Sequence, residues 1–300
     1  MIPPFLVARL DTFLRQQLEP SGGMPMVDFS KPAGEAALAS PDSVSWRVFR
    51  NPVSLYIGGI TAVLMELAEP SVRTGVWDHT TFRTDPLRRM RRTGLAAMVT
   101  VYGARSISEP MIAGVSRMHS RIEGLTPAGV PYRADDPELL RWVHATALYG
   151  FMEAYHRYVC PLSPVERDRF VKEGVPAALL YGAKDPPLTE DDLKTLFEST
   201  QPRLERSDIV FEFLRIMSKI AVIPLVSRPL NHLVVRAAVE LLPAKVREIL
   251  GLDEGYKLPI GAAHLLRLLG SSVERLRLDS TPASQSCVRM ELPPNYLCPR

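Results

Sequence analysis

The sequence predicts an all-α protein: a single multi-helical globular domain with an extended N-terminal arm and a loose C-terminal tail. Apolar residues recur at three- and four-residue spacing through most of the chain, the period of a helix with one buried face. Many of these stretches open on Asp-Pro or Ser-Pro and close on Gly or Pro, the start and stop signals of helices. No run of alternating apolar and polar residues is bounded by hairpin turns.

Phe5 to Leu18 reads as a first helix, with Phe5, Leu6, Leu10, Phe13, Leu14 and Leu18 on one side, ended by Pro20-Ser21-Gly22-Gly23. Gly, Pro, Ser and Ala dominate residues 22–42, which read as a linker or an arm over the body. Pro52 opens a helix through Ala68. Gly58-Gly59 inside it costs about 1 kcal/mol per glycine relative to alanine, a cost tolerated where another backbone or a flat ligand comes close. Close helix packing is the plainer of these two readings. Pro70 stops that helix, and a polar stretch follows from Gly75 to Pro86.

Asp85-Pro86 starts a helix carrying Arg88, Arg89, Arg91 and Arg92. Such a run is either a solvated helix end or a clamp for carboxylates or phosphates, which arginine grips with two parallel hydrogen bonds. Glu109 to Gly124 reads as the helix of His119, and Thr126 to Pro131 as a turn. Asp136-Pro137 then starts the helix of His144, which runs to about Tyr158. Ser163-Pro164 with Glu166 is a capping box for a helix ending near Gly174, and Thr189 opens another toward Ser199. Residues 207–223, 230–242, 243–250 and 260–276 complete the helices. The expected organisation is an arm over 1–44, a helical body over 45–278 and a flexible tail over 279–300.

Composition narrows the function. A hydrophobic fraction of 46% supplies ample core, and the net charge is only +3. Basic residues are interleaved with acids, so no nucleic-acid platform is expected. Cys160, Cys287 and Cys298 form no readable disulfide framework or zinc knuckle, which suits a reducing cytoplasm. The longest apolar stretch, Leu55 to Leu67, includes Glu66 and is shorter than the roughly 20 residues of a membrane span. Peripheral membrane contact through an amphipathic helix stays compatible with the pattern. Phosphate-binding glycine loops, GxSxG and HExxH are absent.

The two histidines carry the chemical signal. Ile112, Val115 and Ile122 share a helical face with His119; Leu140, Ala147, Leu148 and Phe151 share one with His144. A buried imidazole needs partners for its ring nitrogens. A backbone carbonyl is the plainer partner, and an iron or zinc ion the alternative. A helical body with buried histidines also suits a flat apolar cofactor wedged between helices.

The blocks Leu64-Met-Glu-Leu-Ala-Glu-Pro70, His79-Thr-Thr-Phe82, Asp85-Pro86, Arg89 and Arg92-Thr93 occur in order. They are followed by Val101-Tyr-Gly103, His119 with Glu123-Gly124, Tyr132 to Pro137, Trp142-Val-His-Ala-Thr146, and Leu241-Leu-Pro243 through Gly251-Leu252. Over about residues 45 to 255 this series resembles the oxygenase family of the MpaB-type enzymes and the rubber-cleaving latex-clearing proteins. The resemblance implies a helical protein binding haem b, with His144 as the iron ligand and His119 on the opposite side. Read by themselves, the residues leave those two roles exchangeable. Arg89 and Arg92, with Arg88, would hold the haem propionates. Thr93, Thr146 and His79 would orient a ligand or bound oxygen.

The chain departs from the family at Ala68-Glu69-Pro70, where many relatives carry Ala-His-Pro. It shows no N-terminal membrane anchor of the fungal kind, and the polymer substrate of the rubber-cleaving branch does not carry over. The expected activity is a haem-dependent oxygenase using dioxygen on a small apolar substrate, lipid- or terpenoid-like and unsaturated in the characterised relatives' manner. A non-catalytic haem carrier or gas sensor with two axial histidines is the rival reading.

Overall fold

A computed structural model describes residues 4–18, 26–220, 228–252, 254–293 and 295–298. In chain order its helices begin with α1 (Pro4–Leu18), α2 (Val44–Val48), α3 (Pro52–Glu66), α4 (Pro70–Asp78), α5 (Pro86–Tyr102) and α6 (Arg105–His119). A short hairpin of β1 (Glu123–Leu125) and β2 (Pro131–Arg133) leads into α7 (Pro137–Tyr158). Then follow α8 (Pro164–Glu173), α9 (Val175–Tyr181), α10 (Glu190–Thr200), α11 (Asp208–Lys219) and α12 (Arg228–Glu240). The last three are α13 (Ala244–Leu250), α14 (Ala262–Glu274) and α15 (Pro282–Arg289). The chain is all-α apart from the hairpin.

Helices α3 and α7 form the central pair. They cross where neither has a side chain: a Cβ on Gly58 would sit 2.6 Å from the Gly150 carbonyl oxygen. Of the two readings of Gly58, backbone approach is therefore the correct one. Around this crossing the core includes Trp46, Ile57, Leu64, Trp142, Met152 and Phe170. Helices α12 and α14 pack on the pair. The Thr61 hydroxyl donates to Ala238 O at 3.0 Å, and Asn51 Nδ2 donates to Gly270 O at 2.9 Å, so polar side chains fix both contacts. Helices α5 and α6 pack on each other, and α9 touches both α6 and α7.

Local signals place most boundaries. Asp85, Asp136, Ser163 and Thr189 each cap the helix that follows, the last two in full capping boxes. Pro70 does more than stop a helix. It occupies the first turn of α4, whose cap, Glu69, accepts the Val72 N–H at 2.8 Å. Helix α6 begins and ends earlier than its apolar pattern suggests, so His119 is its final residue. The hairpin has three residues per strand, with Gly124 opposite Tyr132, too short for alternation to register in a sequence.

The expected loose tail after residue 278 is instead folded. Thr281 caps α15, and fully buried Arg289 donates to the carbonyls of Phe29, Glu35 and Tyr102 at 2.8, 2.8 and 2.7 Å. One guanidinium thus ties the tail, the N-terminal arm and α5 together, using main-chain acceptors that no sequence period reveals. The expected stop at Pro20-Ser21-Gly22-Gly23 and the end of the 207–223 segment lie outside the described residues.

Candidate active site

Asp85 starts α5 by accepting the Arg88 N–H at 3.2 Å. That start sets Arg89 and Thr93 one turn apart. The Arg89 guanidinium donates to the Thr93 hydroxyl, which in turn donates to the Arg89 carbonyl at 3.0 Å. Glu66, at the end of α3, meets the same arginine. Burial pushes its carboxyl up to about 7, and the attraction of Arg89 only partly opposes this. The Arg89 guanidinium is itself lowered by burial; Glu66 offsets part of that shift and Arg92 adds to it. His119 is lowered by burial first and by Arg89 second, against a smaller pull from Asp135. Glu66, Arg89, Arg92, Thr93 and His119 therefore share one electrostatic neighbourhood at the meeting of α3, α5 and α6.

His144 sits in a different setting. Burial alone lowers it to about 4, with no charged group contributing. The ring is therefore neutral throughout the physiological range, the state a metal ligand requires. Its Nε2 is buried without a hydrogen-bond partner. The ring lies against Gly174, at the joint of α8 and α9; a Cβ there would come within 3.0 Å of Cε1 and 2.9 Å of Leu148 Cδ2. An added methyl would make Leu148 and the imidazole, whose Nε2 lies 3.2 Å from that position, give way. His119 also keeps an unpartnered buried nitrogen, Nδ1.

Glu66 and His144 retain part of their surface although protein surrounds both. Half-buried apolar side chains continue the same helices: Val63 on α3, Met98 on α5, Met111 on α6, and Val143 and Phe151 on α7. Thr100 of α5 pairs its hydroxyl with that of Tyr181 on α9 at 3.0 Å.

Of the residues singled out from the sequence, Arg89, Arg92, Thr93 and His119 are brought together. Arg88 lies on the same turn of α5, partly buried. His79 stands apart, exposed at the C-terminal end of α4. Thr146 is fully buried, and its hydroxyl donates to the Val143 carbonyl of its own helix at 2.8 Å. Glu66 and Gly174 were not foreseen. The signal for Glu66 was a single carboxylate in the Leu55–Leu67 apolar stretch; Gly174 looked like an ordinary helix end.

Residues 46–271 match the family described as ER-bound oxygenase mpaB/B'/rubber oxygenase, catalytic domain. The chain belongs to this family. The match spans Glu66, the arginines of α5 and both histidines, so the neighbourhoods above lie within the catalytic domain of an oxygenase-family enzyme. No curated protein and no solved structure matches the chain. Among the described residues no single helix is long and apolar enough to cross a membrane; α3 and α4 reach that composition only together, bent by 113°. No cluster of three or more His, Cys, Asp or Glu suited to a metal ion occurs among them either.

Proposed function

We propose that this chain is a haem b-dependent oxygenase that uses dioxygen on a small apolar substrate, with His144 as the iron ligand. The observation that carries the reading is the neutral His144 ring, whose buried Nε2 has no protein partner. A porphyrin brings four nitrogens of its own, so one imidazole suffices where no multi-residue metal cluster is present. The desolvated Arg89, with Arg92 and Arg88 on neighbouring turns, suits the carboxylates of such a group.

When bound, haem would supply an iron able to activate dioxygen; His144 would hold it, and the polarity around His119 would tune its chemistry. The protein contributes the rest. The half-buried Val63, Met98, Met111, Val143 and Phe151 pack on the core along these helices and would favour an apolar substrate over a sugar. His119 offers a largely neutral imidazole on the polar side. Glu66, titrating near neutrality, can hold a proton on its carboxyl oxygen or release it within that same neighbourhood.

A pyridine haemochrome assay on the purified full chain tests the reading, with about one haem b per chain expected. Protein that stays colourless after expression with ample haem would overturn it. The unpartnered Nδ1 of His119 favours one rival, a haem carrier ligated on both faces. A ferrous form that refuses carbon monoxide would identify that rival; ready carbon monoxide binding supports the oxygenase.

A further inference from the structure

The folded C-terminal segment brings two of the chain's cysteines to one place. Cys287, on α15, is fully buried, and the Leu297 N–H donates to its sulfur. Cys298 follows directly and keeps accessible surface. Two turns fold the segment back: Tyr296 N–H to Pro293 O at 2.8 Å and Cys298 N–H to Asn295 O at 2.9 Å. Arg50 fixes the second sulfur, donating from Nη2 to Cys298 Sγ at 3.0 Å. The same guanidinium is held by the carbonyls of Glu274 and Leu276 at 2.6 and 2.8 Å and by the Glu274 carboxylate at 3.1 Å. It is a fixed post rather than a waving side chain.

We propose that Cys287 and Cys298 are a redox couple, which a low-molecular-weight disulfide converts into an intramolecular disulfide that fastens the C-terminal segment to α15. The order of events follows from exposure. Burial pushes the Cys287 thiol up to about 11, so it is a poor first nucleophile. Cys298, the accessible sulfur, attacks one sulfur of glutathione disulfide, forming a mixed disulfide and releasing one glutathione thiolate, which takes the Cys298 proton. Cys287 then attacks the Cys298 sulfur, forming the protein disulfide. The second glutathione leaves and accepts the Cys287 proton. Two protein thiols are oxidised by two electrons, and one glutathione disulfide is reduced to two thiols. The second step is intramolecular and outruns attack by another glutathione because the segment that carries Cys298 is held against Cys287 by the Leu297 N–H.

The test uses the full chain with Cys160→Ser, which removes the exposed third cysteine. After incubation with glutathione disulfide, intact mass is expected to fall by two hydrogens, and peptide mapping to join residues 287 and 298. Cys287→Ser is expected to stop at one glutathione on Cys298, and Cys298→Ser to lose at least about tenfold in reaction rate. Accumulation of the glutathione adduct in the chain with both thiols would overturn the proposal. So would a Cys298→Ser chain that reacts as fast as its parent.

Discussion

His144 and His119 look alike in sequence, each an imidazole among apolar residues at helical spacing, yet the fold treats them oppositely. His144 lies mid-stripe on the longest helix, against Gly174, with burial as the only influence on its titration. His119 ends α6 and reports the charges of Arg89 and Asp135 as well as burial. One ring is insulated, the other is wired to a polar cluster. The difference teaches that one residue type can give an insulated imidazole and a charge-coupled one: what separates them is whether charged groups reach the ring.

Exchanging the two rings' losses breaks the comparison most directly. His144→Ala is expected to abolish haem retention, whereas His119→Ala keeps haem and changes carbon monoxide binding; absorption spectra of the two variants check this. Unchanged haem in His144→Ala would transfer the ligand role to His119. A smaller blow to the insulated side is Gly174→Ala, whose methyl would push on the imidazole and on Leu148. Overpacking of this kind costs about 1–3 kcal/mol, read as a lower melting temperature together with weaker haem binding. The same substitution is expected to leave the pH response of the polar cluster in place.

Titration sharpens the contrast further. His144 has a folded value of about 4, below the ordinary histidine value of about 6.5. Between these the unfolded chain binds the extra proton, so apoprotein stability rises with pH across that window. Glu66 does the reverse: its folded value of about 7 lies above the ordinary 4.5, so stability falls as pH rises from 4.5 toward 7. The two slopes oppose each other where they overlap. Glu66→Gln is expected to make stability rise with pH between about 4.5 and 6.5, and His144→Phe to make it fall. Denaturant melts at several pH values measure both. The smallest expected effect is at the arginines: Arg89→Ala weakens haem retention by roughly tenfold, the size of one charge-assisted contact, and the exposed Arg92→Ala by less.

How much of this was written locally explains what the sequence showed. The caps at Asp85, Asp136, Ser163 and Thr189 act within three residues of themselves, so they read directly. The order of blocks pointing to the oxygenase family was equally plain. By contrast, α15 owes its place to Arg289 reaching carbonyls of Phe29, Glu35 and Tyr102, more than a hundred residues distant along the chain. Glu66 is raised by surroundings drawn from several helices. The polar stretch after Pro70 hides α4 because Glu69 serves as a cap, a role more often filled by Ser, Thr, Asp or Asn.

The crossing of α3 and α7 has a bearing on substrate range. With carbonyl oxygen pressed where a methyl would go, that crossing has no room for a side chain at Gly58 or Gly150. For the proposed oxygenase, a larger substrate would have to be accommodated away from this crossing, toward α5, α6 and α9. Diversification of what such a scaffold accepts would then fall to those helices, while the crossing anchors the helix that carries His144.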